Sequence, residues 1–541
     1  MRTRGGEILF CSEEERYSRR KHDTAFPRRA LADALRFAGI GIRDVAAVGF
    51  YTLDSAHLRK TATHLLRYFP RSLRFLRHVR SFADNNRFEA ILRREYGYAG
   101  PVHYLKHHLC HAASTFLVSP YEEAAILTLD GTGEWTTTTM GVGRGTRIEL
   151  FKEIEFPHSL GKLYETFTQY LGFRPNSGEG KVMGLACYGE PAYARQFEEI
   201  VRLLPEGEFR LNLDYFEFHT GSRRLYSDRL VRAFGPPRAP ESAIEKRHEN
   251  VAASLQHALE RAVEHLLGWL HARTGLQRLC MAGGVSLNSQ MNAAMQARTK
   301  FGEIFVPPAA GDPGTALGAA KVIEHLILGR ERRHELASAY LGPSYSNEEV
   351  KRLLSARQVA FEEVADPASR CAEMLAEGKI VGWFQGRAEY GPRALGSRSI
   401  LADPRREEMK DVLNARVKKR EGFRPFAPAV PEHLQNEYFE ALGPSPFMLK
   451  VWPVREAWKA RLPAITHVDG TGRVQTVTRE SNPRFYRLIE RFGEITGVPV
   501  VLNTSFNIRG EPMVHAPEDA LACFQGTEMD ALFLEDCLVV K

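Results

Sequence analysis

Short apolar runs that stop at glycine turns recur along this chain, and they restrict it to folds that layer strands against helices. Ala124–Leu129 (AAILTL) reads as a buried strand that ends at Asp130, followed by Gly-Thr-Gly and a second strand, TTTTMGVG. RLCMAGGVSLNSQMN reads as strand, glycine turn, helix. From Glu249 to His271 the apolar positions Val251, Leu255, Leu259, Ala262, Val263, Leu266 and Leu270 have helical spacing, and Gly275 is placed to stop that helix. Further strands are expected at Ile380–Phe384 and Val498–Asn503. The fold class is α/β. A chain of 541 residues exceeds one ordinary core. The best boundary lies where RERRHELASAY gives way to LGPSYSNEEV, with turn residues Gly342, Pro343 and Asn347. Domains over 1–338 and 339–541 follow.

The longest apolar runs fall short of the roughly 18 residues that span a bilayer, and the opening MRTRGGEILFCSEEER has no apolar stretch of a secretory signal. A cytoplasmic protein is expected. Seven cysteines (Cys11, Cys110, Cys187, Cys280, Cys371, Cys523, Cys537) are scattered and never spaced as CxxC, which argues against a disulfide framework and a thiolate zinc cage. The net charge of +7 has a local source: between His57 and Arg87 lie Arg59, Lys60, Arg67, Arg71, Arg74, Arg77, Arg80 and Arg87 against Asp84 alone. Such a segment reads first as a solvated helical insertion, with a nucleic-acid or acidic membrane surface as the alternative.

Three constellations carry chemistry. In HHLCHAAS, His107 and His111 are four residues apart, which sets two imidazoles on one helical face. Asp130, at its strand end, and Asp312, in AAGDPGTALGAA, add two carboxylates held in glycine turns. Two histidines with two carboxylates suit Fe(II), Mn(II) or Zn(II), with Mg(II) also admitted, rather than Ca(II). The second constellation is phosphate-binding turns: SGEGKVMGLACYG with Gly178, Gly180 and Lys181, and AGGVSLN with Gly283, Gly284, Ser286 and Asn288. With DGTGE, which contains Gly131, and GDPGT, they resemble the loops of actin-like ATPases. The third is cationic. GRAEYGPRALGSRSI carries Arg387, Arg393 and Arg398; VKKREGFRPFAPAV carries Lys418, Lys419, Arg420 and Arg424. Arg473 follows in HVDGTGRVQTV, then Asn503, Ser505, Asn507 and Arg509 in LNTSFNIRGEP. Cations fixed among glycine and proline turns suit a small phosphorylated ligand.

Taken in order, HHLCHAAS, LTLDGTGE, GEGKVMGLA, AGGVSLN, GDPGTALGAA, GPRALGSRSI, FRPFAPAV, HVDGTGRVQTV and LNTSFN resemble the O-carbamoyltransferases of nodulation-factor and antibiotic biosynthesis (the NodU/CmcH family) over nearly the whole chain. The resemblance implies an actin-like (ASKHA) N-terminal domain related to tRNA threonylcarbamoyl-transfer proteins, and a YrdC-like C-terminal domain. It implies that carbamoyl phosphate and ATP give carbamoyl adenylate, whose carbamoyl group passes to a hydroxyl of a small-molecule acceptor. By position, His107, His111, Asp130 and Asp312 match the family's metal ligands, with Fe(II) the expected ion. Arg393, Arg398, Lys418, Arg424, Arg473 and Asn503 match positions that bind carbamoyl phosphate and nucleotide. His107, His111, Asp130, Lys418 and Arg424 are the expected catalytic group. Gly131, Lys181, Gly283, Gly284 and Asn288 are expected at the nucleotide. Nucleic acid is not an expected partner, and a homodimer is compatible with the pattern.

The chain departs from that family at its start. GGEILFCSEEERYSRRKHD opens almost at once, so the family's first strand, with its phosphate loop and histidine, is expected to be missing through a late start or a real loss. Two rival readings follow: a threonylcarbamoyl transferase acting on tRNA, which the basic segment favours, and an inert nucleotide-binding regulator.

Overall fold

The computed structural model describes residues 7–53, 57–75 and 87–541. The chain forms two compact units, one of Ile40–Glu335 and one that joins Leu336–Lys541 to Ile8–Gly39. The boundary therefore lies at 335/336 rather than 338/339, and residues 8–39, placed by the sequence reading with the first domain, fold with the second. Their reasons for doing so are polar and specific. The Cys11 amide donates to the Leu341 carbonyl at 3.0 Å, the Gly391 amide to Glu13 at 3.2 Å, and the Arg19 guanidinium to the Pro512 carbonyl at 3.0 Å.

In the unit Ile40–Glu335 a five-stranded sheet comprises β1 (Glu123–Gly133), β2 (Thr136–Arg144), β3 (Arg147–Glu155), β4 (Arg278–Ala282) and β5 (Glu303–Phe305), in the order β3-β2-β1-β4-β5. β1, β2 and β3 pair antiparallel, and β1, β4 and β5 pair parallel. β1 runs past Asp130 instead of ending there, but its register with β2 shifts between Leu129 and Gly133. That irregularity takes Asp130 out of the ladder. The long helix spans Lys246–Thr274, and Gly275 ends it at φ 69°, the left-handed value expected of a glycine cap.

Two helices flank β1 and set the site. His107–Phe116 is buried along almost its whole length, with Cys110, Ala112, Ala113 and Phe116 in one core with Ile126, Cys280, Ala319 and Val322. It lies against Pro313–Lys321 at backbone distance, because Gly318 has no side chain to hold the two apart.

In the other unit an eight-stranded sheet comprises β6 (Glu362–Glu363), β7 (Val381–Phe384), β8 (Arg398–Ala402), β9 (Ala427–Pro431), β10 (Gln475–Val477), β11 (Val501–Ser505), β12 (Ala531–Leu534) and β13 (Cys537–Val540). Their order is β6-β13-β12-β7-β8-β11-β9-β10. Helix Pro483–Thr496 covers it with Phe485, Leu488, Ile489 and Phe492, an i, i+3, i+4, i+7 stripe packed on Trp383, Val501 and Phe533. The segments 386–397, 418–426 and 506–515 lie between these strands and carry Arg387, Arg393, Lys418, Arg420, Arg424 and Arg509, while Arg398 begins β8 and Arg473 lies just before β10. Among the described residues no helix is long and apolar enough to cross a membrane.

Candidate active site

His107 and His111 sit on consecutive turns of one helix and both present Nε2 to the same two carboxylates. His107 Nε2 lies 3.3 Å from Asp130 Oδ2 and 3.5 Å from Asp312 Oδ1. His111 Nε2 lies 3.8 and 3.6 Å from the same atoms. The four ligand atoms fall within 4.8 Å of one another. Asp130 is held from behind: the Gly284 amide donates to its Oδ1 at 3.0 Å, which leaves Oδ2 to face the histidines. Gly283, at φ +96°, makes that approach feasible, since a Cβ there would stand 2.1 Å from the Leu129 carbonyl oxygen. Asp312, the most exposed member, sits at the N-terminus of helix Pro313–Lys321.

The electrostatics follow from this crowding. Burial pulls the His107 imidazole down, but hydrogen bonds and charge from Asp130 and Asp312 reverse that and raise it to about 10. Although its side chain is 61% exposed, Asp312 stands among enough protein atoms for desolvation, and then the Asp130 charge, to push it up, yet the two imidazoles bring it down to about 2. Asp130 is held well below the usual carboxylate range by the same imidazoles, against its burial. His111 is fully buried and neither ring nitrogen has a hydrogen-bond partner, although buried imidazole nitrogens are normally paired. An orphaned imidazole aimed at two carboxylates fits a divalent metal, and the mixed N/O donors fit Fe(II), Mn(II) or Zn(II).

The intervening His108 is different. Its Nδ1 lies 2.6 Å from Thr128 Oγ1 and its Nε2 donates to the Thr136 carbonyl at 2.9 Å. It fastens the helix to the sheet.

Around this cluster lie groups the sequence did not single out. Ser159 Oγ donates to the Gly131 carbonyl at 2.7 Å and caps helix Leu160–Tyr170. Lys162, on that helix, reaches within 3.9 Å of the space above Gly131, and its Nζ donates to the buried Glu165 at 2.6 Å. The ring of Tyr51 stands 5.5 Å from that of His107. Of the expected nucleotide residues, Lys181 lies over the Phe173 ring. Asn288 is spent on the fold: its Oδ1 caps helix Ser289–Arg298 through the Met291 amide at 2.9 Å, and its Nδ2 donates to Gln256 at 2.8 Å.

In the second unit the cations divide into two groups. Arg393, Arg420, Arg424 and Arg473 stand within electrostatic reach of one another. Burial and then Arg393, Arg420 and Arg424 push Arg473 well below the ordinary arginine value, and burial and then Arg424 lower Arg393 to about 10. The nearest acid is Glu421, 4.0 Å from Arg424 and 3.8 Å from Arg509. Four guanidiniums at this density repel one another in spite of Glu421, and an anionic ligand offsets that repulsion.

Arg398 stands apart from that group. It is fully buried over the Phe384 ring, and its terminal nitrogens donate to the carbonyls of Gln385, Ser397, Pro343 and Gly386 at 3.0–3.3 Å. Its four terminal N–H groups are thus committed to holding the loop. Lys418 behaves similarly: Nζ reaches Ser505 O, Ser505 Oγ, Asn507 O and Asn507 Oδ1 at 2.6–3.2 Å. Asn503 Nδ2 donates to Gln475 at 2.7 Å and to the Ala394 carbonyl at 3.3 Å, which positions the residue after Arg393. Lys21 comes close enough to Lys418 to help lower its ammonium, after burial and Arg420. No sequence spacing between 21 and 418 could have shown that.

One α/β unit thus holds a cluster of metal-ligand type and the other a set of four crowded arginines. The Carbamoyltransferase N-terminus family matches residues 2–321 and the Carbamoyltransferase C-terminus family residues 372–541. The chain belongs to the carbamoyltransferase family and is a transferase. It is 41% identical to an uncharacterized protein of Synechocystis, over 99% of this chain and 94% of that one. It is 39% identical to nodulation protein NolNO of Sinorhizobium fredii, over 99% and 78%, and 42% identical to nodulation protein NolO of Bradyrhizobium diazoefficiens, over 81% and 79%. Solved structures are more distant: a phosphate- and nucleotide-bound HypF at 19% identity over 34% of this chain and 22% of its own, TM-score 0.23, and the Acidaminococcus fermentans (R)-2-hydroxyglutaryl-CoA dehydratase component A at 14% over 56% and 84%, TM-score 0.29.

Proposed function

We propose that the unit Leu336–Lys541, with Ile8–Gly39, converts carbamoyl phosphate, ATP and water to carbamoyl adenylate, phosphate and pyrophosphate, and that the unit Ile40–Glu335 transfers the carbamoyl group to a hydroxyl of a small-molecule acceptor such as a sugar or an antibiotic precursor, with AMP leaving. In this reading the first unit to act is YrdC-like and the second actin-like. The observation that carries it is the set of four guanidiniums, Arg393, Arg420, Arg424 and Arg473, which crowd one another beside the single acid Glu421 and favour an anionic ligand. Two phosphorylated substrates supply that anion. As phosphate and pyrophosphate leave, the arginines offset their charge, and bidentate pairing orients them. Lys418 and Asn503 act one step back, by fixing the 505–507 turn and the loop that bears Arg393.

In the other unit His107, His111, Asp130 and Asp312 would hold a divalent metal, with Fe(II) the first choice, which supplies Lewis acidity toward a carbonyl or phosphate oxygen. Gly131 lets a phosphate approach the backbone beside it, whereas the Gly283 and Gly284 amides are spent on the Ala310 carbonyl and on Asp130; Lys162, paired with Glu165, stands at the same turn. ATP supply places the reaction in the cytoplasm.

The test is to incubate the protein with ATP, carbamoyl phosphate and Fe(II) or Mn(II), without acceptor, and to follow carbamoyl adenylate and pyrophosphate by mass spectrometry. Adenylate from the native chain and none from Arg424→Ala is the expected result. Metal-independent ATP turnover with no adenylate would refute the proposal.

A further inference from the structure

Neither site uses the basic segment near the start of the unit Ile40–Glu335. Part of it, residues 76–86, lies outside the described residues. The described part is a helix, His57–Arg67, and a turn, Arg71–Phe75. Thr61, His64 and Ser72 are buried and anchor it; His64 Nε2 lies 2.7 Å from the His219 carbonyl oxygen, and Ser72 Oγ donates to the Leu65 carbonyl at 2.6 Å. On successive turns away from that anchor stand Leu66, Phe69 and Leu73, which are 80%, 68% and 54% exposed. Arg67, Arg71 and Arg74 are exposed beside them, and none of the three makes an ion pair among the described residues. Between His57 and Phe75 there is no acidic residue at all.

We propose that this segment docks the protein on an anionic membrane surface, with Leu66, Phe69 and Leu73 entering the headgroup region and Arg67, Arg71 and Arg74 pairing with lipid phosphates. Each half of the pattern excludes a simpler occupant. A purely solvated helix has no use for three large apolar side chains exposed at intervals of three and four residues. A nucleic acid would take the arginines but leave the apolar groups in water. An interface of lipid tails and phosphate headgroups accommodates both at once, which is how basic amphipathic segments lie on membranes. The helix is too short to span, so the attachment is peripheral and reversible.

The experiment is co-sedimentation of the full-length protein with phosphatidylcholine vesicles, with and without phosphatidylglycerol. Binding is expected only to the anionic vesicles, and it should weaken as salt is raised. The Leu66→Ser/Phe69→Ser/Leu73→Ser variant should bind about tenfold less or worse, since all three side chains lose their burial in lipid. Its melting temperature and carbamoyl adenylate formation should match the parent, because the three positions face away from the anchor. Several results would overturn the proposal. Failure of the parent to bind anionic vesicles is the first. Undiminished vesicle binding by the serine variant would reduce the segment to a charge effect. Duplex DNA or RNA that displaces the protein from vesicles, with equal affinity for parent and variant, would assign the surface to nucleic acid. Conversion of a parent dimer to monomer by the three serines, without vesicle binding, would assign it to a second copy.

Discussion

Gly318 lies so close to Cys110 that a methyl group built on it would stand 1.8 Å from the Cys110 carbonyl oxygen. The contact joins two helices that between them carry three of the four candidate metal ligands: His107 and His111 on one, Asp312 at the start of the other. A backbone oxygen cannot yield as a flexible side chain would, so Gly318→Ala must push the helices apart. The expected cost is about 1–3 kcal/mol of stability, typical of an overpacked core. Metal affinity should fall with it, since the ligands move as the helices do. Thermal melting and Mn(II) titration on the same preparation check this. Gly302→Ala, which meets nothing within 4 Å, is the control and should change neither.

The neighbouring histidines of the site should separate cleanly. His108 is satisfied on both nitrogens by Thr128 and the Thr136 carbonyl, whereas both nitrogens of His111 are orphaned. His108→Ala removes two buried hydrogen bonds and is expected to cost about 1–3 kcal/mol, with metal stoichiometry kept. His111→Ala should instead lose metal affinity by at least about tenfold, the lower end of what even an outer-shell change costs. Equilibrium denaturation and metal analysis after dialysis distinguish the two. Equal metal loss in both variants would contradict this division.

A similar contrast is expected among the arginines. Arg473 is crowded by Arg393, Arg420 and Arg424, so Arg473→Gln relieves repulsion and should leave the melting temperature unchanged or raised. The same change should slow carbamoyl adenylate formation by about 10²–10³-fold, the scale of one lost donor at a developing charge. Arg398→Ala should do the reverse first: it abandons four buried carbonyls and should destabilise the unit by more than about 3 kcal/mol. Denaturant titration and the mass-spectrometric adenylate assay check both, and a stable Arg398→Ala variant would remove its structural assignment.

The quartet His107, His111, Asp130 and Asp312 was readable because helix periodicity and glycine turns are local, and local rules placed each residue at the mouth of an element. The strands at Ala124–Leu129 and Thr136–Gly143 were legible for the same reason, though the irregularity that frees Asp130 was not. The arginines show where local reading ends. Arg393, Arg398, Lys418 and Arg473 look alike in sequence, each a cation among turn residues. Only the direction of the donors separates them: Arg398 and Lys418 face carbonyls of their own unit, while Arg393 and Arg473 face one another's charge. The allegiance of Ile8–Gly39 was also hidden, since it rests on pairs such as Glu13 with Gly391, 378 residues apart. That Asn288 caps a helix was not legible either, because an N-cap and a phosphate turn share the same sequence signature.

That same long-range packing sets a pH response. His515 is 5% exposed, its ring centroid lies 3.9 Å from that of Tyr17, and its Nε2 has no hydrogen-bond partner. Burial first, and then the charges of Arg398, Arg16 and Arg19, lower it from 6.5 to about 3. In the unfolded chain the ring takes up a proton near its ordinary value, while the folded chain refuses it, so the unfolded state binds more protons throughout that interval. Stability is therefore full above about pH 6.5 and is lost as the pH falls toward 3, at about 1.4 kcal/mol for each pH unit. Exchange for glutamine removes the titration without adding charge. Urea denaturation from pH 7.5 down to pH 4.5 should show a shallower loss of stability in His515→Gln than in the parent, with the curves diverging below about pH 6.5. Parallel curves would mean that the ring takes up its proton alike in the folded and unfolded chain, and hence that burial and the three arginines do not depress it.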